Sequence, residues 1–496
     1  MNNNDLCSRA AQKAKYMALP FFSTLLLGLA AHMFMLTNKI SFGGDVSAVF
    51  EKGATFISGR WGLTLVQWIM PDISMPWYNG FVSLVLLSAA VCVVIELFEI
   101  KNRVMQILLG GLVICFPAEA ATLCYMFTCA PYALSLLMAV SAVCIFEKWG
   151  SPFKWLVSPL LLIFSCSIYQ GYFAFASSFC VIIMLKELME KKDSRKVFAH
   201  GLVMLGMLLL SVGIYGISVP VAAKLAGLPV LDAINKEQSI FLRVAVAYSA
   251  YIKTYFMGYF GYVNSAVSML LHLALVVVAA FLAARQQLKE RELTRIWLMC
   301  LCIFLFPLSC YCIYMLSDNG YIHSLALFPF CSVYVLMIII FEKYIAGDKS
   351  RLRLLIAAAM AVIVFGNIIF ANKLYFRSWM QYESMRDFYS SMLAVVTQTE
   401  GFDEGVKLAV VGDVPATRID FEDKFDLSGF QHPSNSIMHT EHVKGFINNC
   451  LAYDLPYATP EEIAMLSENE QVQAMAVYPY YGSVKRVGEF MVVRFG

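Results

Sequence analysis

Charge is what this chain has least of. Asp, Glu, Lys and Arg make up 15% of its 496 residues while 59% are hydrophobic, and the mean hydropathy is +0.67; an ordinary soluble domain carries about 25% charged residues. That shortage excludes a soluble cytosolic enzyme. The net charge is +2, and no basic face is interleaved with aromatics, so the electrostatic footprint of a nucleic-acid binder is missing. Zinc-ligand spacing is missing too. The 14 cysteines are scattered through apolar stretches, and the pairs Cys300/Cys302 and Cys310/Cys312 stand inside one apolar run, where a thiol behaves as a small buried hydrophobe. No convincing small-residue cleavage site follows the first apolar run, which therefore reads as a span rather than a removed leader.

Long apolar runs are what the chain has instead. A membrane span takes about 20 apolar residues, and about eleven such runs follow one another: Tyr16–Leu36, Tyr78–Phe98, Val104–Ala121, Pro131–Phe146, Trp155–Ile168, Gly171–Leu185, His200–Val221, Ser265–Ala284, Trp297–Leu316, Leu325–Phe341 and Leu354–Ala371. Of the 27 Lys and Arg before residue 372, alternating loops send 20 to one side, which the positive-inside rule makes the cytoplasm. The amino terminus is then expected inside and the carboxyl tail outside.

The expected architecture is an all-α polytopic membrane unit, residues 1–371, followed by a small extracytoplasmic α/β domain, residues 372–496. The tail holds ten basic and seventeen acidic residues and one cysteine, Cys450. Its pattern predicts a helix over Phe376–Thr397 and strands at Lys407–Val411, Gln473–Tyr478 and Glu489–Phe495.

Two outside loops are longer than a connection requires. The first, Asn38–Trp77, carries Asp45 after Gly43 and Gly44, then Arg60 at the start of WGLTLVQWIM, a stretch too short to cross that reads as an interfacial helix. Asp45 is placed either to act as a base or to cap a helix beginning at Val46. Glu51 lies in the same loop. Glu119, in FPAEAATL, borders hydrocarbon, where a carboxylate is a functional candidate by default. Gln170 in IYQGYF, and Asp318 and His323 in SDNGYIH, are candidate sugar or phosphate contacts. The second long loop, Ala222–Asn264, supplies Lys236 and Arg243, which run against the charge bias and suit a phosphate at the interface. His32 and His272 lie within spans and read as interhelical hydrogen bonds. No Asp/His cluster of metal-ligand spacing occurs on the outer side, so no cofactor is evident, and a divalent metal stays open.

Together, the Gly-Gly-Asp loop with GRWGLTLVQW, the IYQGYF turn and the ending MAVYPYYGSVKRVGEFMVVRF resemble the bacterial and phage glucosyltransferase type II family. The resemblance implies a fold of the GT-C kind, a polyprenyl-phosphate sugar as donor, transfer of glucose to a cell-surface glycan at the outer face of a bacterial cytoplasmic membrane, and partners that make and flip the donor. It also implies Asp45 as catalytic base. Many members carry two adjacent acidic residues in the first outside loop, whereas Gly44 precedes Asp45 here, which leaves Glu51 and Glu119 as candidates for a second carboxylate.

Two other readings share parts of this pattern. A polysaccharide polymerase or ligase has the same outside site but an oligosaccharide donor. A flippase or transporter is expected to hold midplane charges and repeated halves; here charges cluster at span ends.

Overall fold

A computed structural model describes residues 3–41, 44–47, 58–66, 68–70, 73–228, 239–256, 265–290, 292–312, 324–345, 351–412 and 440–496. The helices in chain order are α1 (Asn3–Thr37), α2 (Gly44–Ser47), α3 (Trp61–Val66), α4 (Pro76–Phe98), α5 (Arg103–Ile114), α6 (Pro117–Leu123), α7 (Met126–Lys148), α8 (Lys154–Ile168), α9 (Phe173–Met189), α10 (Ser194–Ala226), α11 (Ile240–Phe256), α12 (Ser265–Glu290), α13 (Leu293–Cys310), α14 (Ser332–Tyr344) and α15 (Arg351–Gln398).

Every expected span has a helix. Among the described residues nine helical segments are long and apolar enough to cross a membrane, and α5 with α6 make a tenth, bent by 49°. The eleventh, α8, has only 15 residues. The bend falls at Cys115–Phe116, just before Pro117, whose missing N–H suits the first position of a new helix. Local chemistry sets other ends: the Asn102 side chain accepts from the Met105 amide to start α5, and the Asp193 carboxylate accepts from the Arg195 and Lys196 amides to start α10.

One difference from expectation lies in the second long loop. Its middle forms α11, which packs on α12 and α13 because Tyr251 and Tyr255 turn inward. The Tyr255 hydroxyl donates to the Phe330 carbonyl at 2.5 Å, and Tyr251 meets the Phe330 ring edge-on.

At the end of the bundle where α4, α7 and α9 finish and α10 begins, charges pair in the open. Lys148 and Lys186 meet Glu99, Lys13 meets Glu96 at 2.7 Å, and His200 bridges Glu147 and Glu187 at 3.1 and 3.0 Å. The other end, where α4 and α7 begin, holds the candidate site.

α15 runs 48 residues without a break, so the helix expected at Phe376–Thr397 is the continuation of the last span. It carries a three-stranded sheet, ordered β1 (Lys407–Val411), β3 (Phe490–Arg494), β2 (Val484–Val487), with β1 and β3 parallel and β2 antiparallel to β3. Strands were expected at the first two of these positions. β2 was missed; it turns into β3 through Gly488, whose φ of +61° a glycine adopts without strain. The expected strand at Gln473–Tyr478 is instead the last residue of a short helix, Glu470–Gln473, started by the Asn469 side chain on the Gln471 amide, followed by irregular chain. Arg494 then ties down the Gln473 and Met475 carbonyls, and Pro479 removes a ladder donor.

Candidate active site

α1 ends at Thr37, and the chain folds back so that Asp45, in the first turn of α2, is fully buried. Four donors converge on its carboxylate. Oδ2 accepts from the Ser41 and Ser74 hydroxyls at 2.8 and 2.7 Å and from Lys39 Nζ at 3.2 Å. Oδ1 accepts from the Phe127 amide at 3.2 Å. That amide belongs to the first turn of α7, where N–H groups have no partner within the helix and the dipole favours an anion. Asp45 therefore does not cap the helix beginning at Val46; its carboxylate serves another helix 82 residues away. The Lys39 side chain is 36% exposed and forms the solvent edge of the group, also donating to Ser74 Oγ at 2.7 Å.

Glu119 sits on α6, 1% exposed, with Oε2 unpartnered among the described residues. Cys129 lies within the electrostatic reach of both Asp45 and Glu119, and Tyr375 within that of Glu119. The Asp45 carboxylate thus sits on the first turn of α7, and Glu119 on the short helix that precedes it. α6 is held there by the 3₁₀ segment Ser324–Cys331, where Phe328 stacks on Phe116 with centroids 6.3 Å apart.

His32 closes the α5–α6 break. Its ring nitrogens meet the Ile114 carbonyl, the last of α5, and the Tyr375 hydroxyl, both at 2.8 Å. His272 similarly meets the Tyr334 hydroxyl and the Ser268 carbonyl. Both histidines are interhelical hydrogen bonds, as expected. Arg377 on α15 is fully buried and lies close enough to Cys124 to act on it electrostatically, as does Asp45.

Arg60 and Gln170, expected separately, meet. Arg60 Nε donates to Gln170 Oε1 at 3.2 Å and Nη1 to the Tyr132 hydroxyl at 2.7 Å. The guanidinium stands 5.7 and 5.2 Å from the centroids of Tyr132 and Tyr169, which stack on each other at 4.2 Å, in the range of cation–π attraction. Gln170 Nε2 donates to the Ser58 carbonyl at 2.6 Å and to the Tyr215 hydroxyl at 2.9 Å, so the loop is stitched to α7, α8 and α10.

The stretch expected as an interfacial helix divides. Trp61 bonds Ser218 Oγ through Nε1 at 2.9 Å, and Gly62 packs so tightly that a Cβ there would lie 2.0 Å from Ser167 Oγ. Trp68, by contrast, is 91% exposed. Leu65, Trp68 and Ile69 present apolar surface outward, whereas Gly62 and Leu63 are buried beside the Arg60 loop.

Of the other candidates, Arg243 lies half-buried in the first turn of α11. Glu51, Lys236, Asp318 and His323 lie outside the described residues. Sequence reasoning missed Lys39, Ser41, Ser74 and Arg377; of these, only Lys39 carried a signal, standing beside the first span against the charge bias. Among the described residues no group of three or more His, Cys, Asp or Glu is arranged to hold a metal ion. A cavity of about 710 Å³ between α10 and α13, lined by Phe198, Trp297, Leu301 and Phe304, involves none of these site residues.

Residues 33–341 match the model of the glucosyl transferase GtrII family. The chain belongs to that family. A search of curated proteins finds no match to it. The region matched in this GtrII-family chain includes Asp45, Arg60, Glu119 and Gln170 but stops short of Arg377 and the tail. Glucosyl transfer also separates the protein from the flippase reading, since a flippase moves its substrate without making a glycosidic bond.

Proposed function

We propose that the protein transfers glucose from a polyprenyl-phosphate donor to a hydroxyl of a surface glycan at the outer face of the bacterial cytoplasmic membrane. The observation that carries this reading is Asp45: a fully buried carboxylate, aimed by four donors, at the same bundle end as Arg60. A buried charge is costly, and the surrounding Ser and Lys groups orient it. An acceptor hydroxyl that displaces Lys39, the most exposed and longest of the side-chain contacts, meets Oδ2. Asp45 then takes the hydroxyl proton as the oxygen bonds to the anomeric carbon and that carbon's bond to the donor phosphate breaks.

The electrons of the broken bond stay on polyprenyl phosphate, which needs charge stabilisation rather than a proton. Arg60, held flat against two tyrosines, supplies paired donors for it. Glu119, on the short helix just before α7, is the second carboxylate of this scheme. A single displacement inverts the anomeric centre, and a nucleophilic Glu119 would retain it. The donor comes from reactions that charge the lipid phosphate with glucose and carry it across the membrane.

The test is incubation of the purified protein in detergent with polyprenyl-phosphate glucose and candidate wall glycans. Glucosylated glycan and released polyprenyl phosphate are expected in equal amounts. Release without a glycan product, or no release at all, sinks the reading. For orientation, a tag fused after Gly496 is expected to be digested by protease added to intact cells, with any outer membrane permeabilised. A tag cut only after lysis reverses the topology.

A further inference from the structure

The region matched by the family ends at residue 341, yet the tail reaches the Asp45 turn. A short helix, Thr440–Gly445, runs into a π-helical turn, Phe446–Cys450, a local geometry often found at functional sites. Asn449 Nδ2 donates to the Val46 carbonyl, the residue next to Asp45, at 2.9 Å. Val46 itself is buried, and Cys450 lies within the electrostatic reach of Lys39 and Asp45.

Packing anchors the turn on both sides. Phe446 and Ile447 are buried, and the Phe446 ring meets Tyr382 and Tyr389 of α15 at 5.5 and 5.6 Å. Downstream, the chain is fastened to the sheet where the Leu408 amide donates to the Pro456 carbonyl and the Ala458 amide to the Leu408 carbonyl. Between these anchors sits an orphan. Asn448 Oδ1 is buried and has no hydrogen-bond partner among the described residues. Leaving a buried acceptor unmet is costly, and a carboxamide beside a glycosyl-transfer site is suited to a sugar hydroxyl.

We propose that the turn Phe446–Cys450 forms the acceptor side of the site, with Asn449 positioning the Asp45 turn and Asn448 Oδ1 receiving a hydroxyl of the incoming glycan. This rests on the glucosyl-transfer reading above. It makes the tail part of the site rather than an attachment to it, and assigns acceptor recognition to residues outside the family-matched region.

The experiment uses the full chain in detergent, polyprenyl-phosphate glucose and a glycan that the wild type glucosylates. Asn448→Ala is expected to raise the acceptor KM about tenfold, the value of one hydrogen bond, with the donor KM unchanged. Asn449→Asp, which sets a carboxylate against the Val46 carbonyl, is expected to lower kcat at least about tenfold with the donor KM and the thermal midpoint held. Asn449→Gln, which keeps the donor, should restore most of that rate. A wild-type acceptor KM in Asn448→Ala, or a wild-type kcat in Asn449→Asp, overturns the proposal. A wild type that transfers no glucose to any glycan overturns the transferase reading first, and is distinguishable because it fails before any variant is compared.

Discussion

At one end of the helical bundle Glu99 is 56% exposed and shares two lysines, and His200 lies between Glu147 and Glu187. At the other end Asp45, Glu119 and Arg377 are at most 1% exposed. The first group consists of opposite charges paired with one another, and its exposed pairs, such as Lys148 with Glu99, contribute about 0–1 kcal/mol each and can be rearranged cheaply. In the second, much of the contact comes from neutral partners: Ser41, Ser74 and the Phe127 amide at Asp45, and Tyr132 and Gln170 at Arg60. At Asp45 the three neutral donors fix the direction of the carboxylate, and the one charged partner, Lys39, stands on the solvent side where an incoming group can replace it. Under the proposed function, the buried end is the one where transfer takes place.

The comparison breaks most visibly at Asp45. Asp45→Asn keeps the size but cannot take a proton, and loss of a general base costs about 100- to 10,000-fold in rate. Transfer by the purified variant is expected to fall within that range while the protein still elutes as a folded species. Activity within a few fold of wild type would remove Asp45 from the role and move it to Glu119.

Arg60→Lys sharpens the contrast between a paired guanidinium and a point charge. Lys cannot bond Tyr132 and Gln170 together and still face a phosphate. The donor KM is expected to rise about tenfold, as for loss of one charge-assisted hydrogen bond, with little change in the thermal midpoint. An unchanged donor KM would leave Arg60 as an anchor only.

Gly62→Ala tests whether the Arg60 loop depends on close packing. The added carbon would overlap Ser167 Oγ at 2.0 Å and crowd its backbone carbon at 3.1 Å, and overpacking of this kind costs about 1–3 kcal/mol. A lowered unfolding temperature is expected, partly recovered by Ser167→Gly.

The smallest effect belongs to the basic end. Glu99→Gln should leave transfer unchanged and cost under about 1 kcal/mol of stability. The hydrogen bond from Lys148, and then the charge of Lys186, hold the Glu99 carboxyl below the usual glutamate range despite some desolvation. Its contribution is therefore complete above that ordinary range and fades as the pH falls through the lowered value. The wild-type minus variant difference in thermal midpoint should be flat from pH 6 to 8 and shrink toward pH 3; a difference that grows on acidification would contradict the pairing.

The spans were legible because each needs only a run of apolar residues, and all eleven expected runs coincide with helices. Asp45 was legible as a candidate because a carboxylate after two glycines is unusual at a span end. Its partners were not. Ser74 is 29 residues away and Phe127 is 82, and a backbone amide has no sequence signature at all. Arg60 and Gln170 were each legible, but their meeting across 110 residues was not. Arg377 was hidden for another reason: it follows the last apolar run and reads as part of a soluble helix, whereas α15 continues through it and buries it. In the tail, β2 escaped because Val-Lys-Arg-Val alternates too briefly to stand out.

α15 sets a length and a phase as well as a path. Its 48 residues span about 72 Å at 1.5 Å per residue, more than twice the roughly 30 Å of hydrocarbon. The tail is therefore mounted on a stiff shaft, and its contact with Val46 depends on the shaft's screw register. One residue inserted between Leu374 and Tyr382 would lift the tail about 1.5 Å and turn it about 100°, carrying Asn449 away from the Asp45 turn while leaving both halves intact. Such an insertion separates the two halves mechanically where no point substitution can.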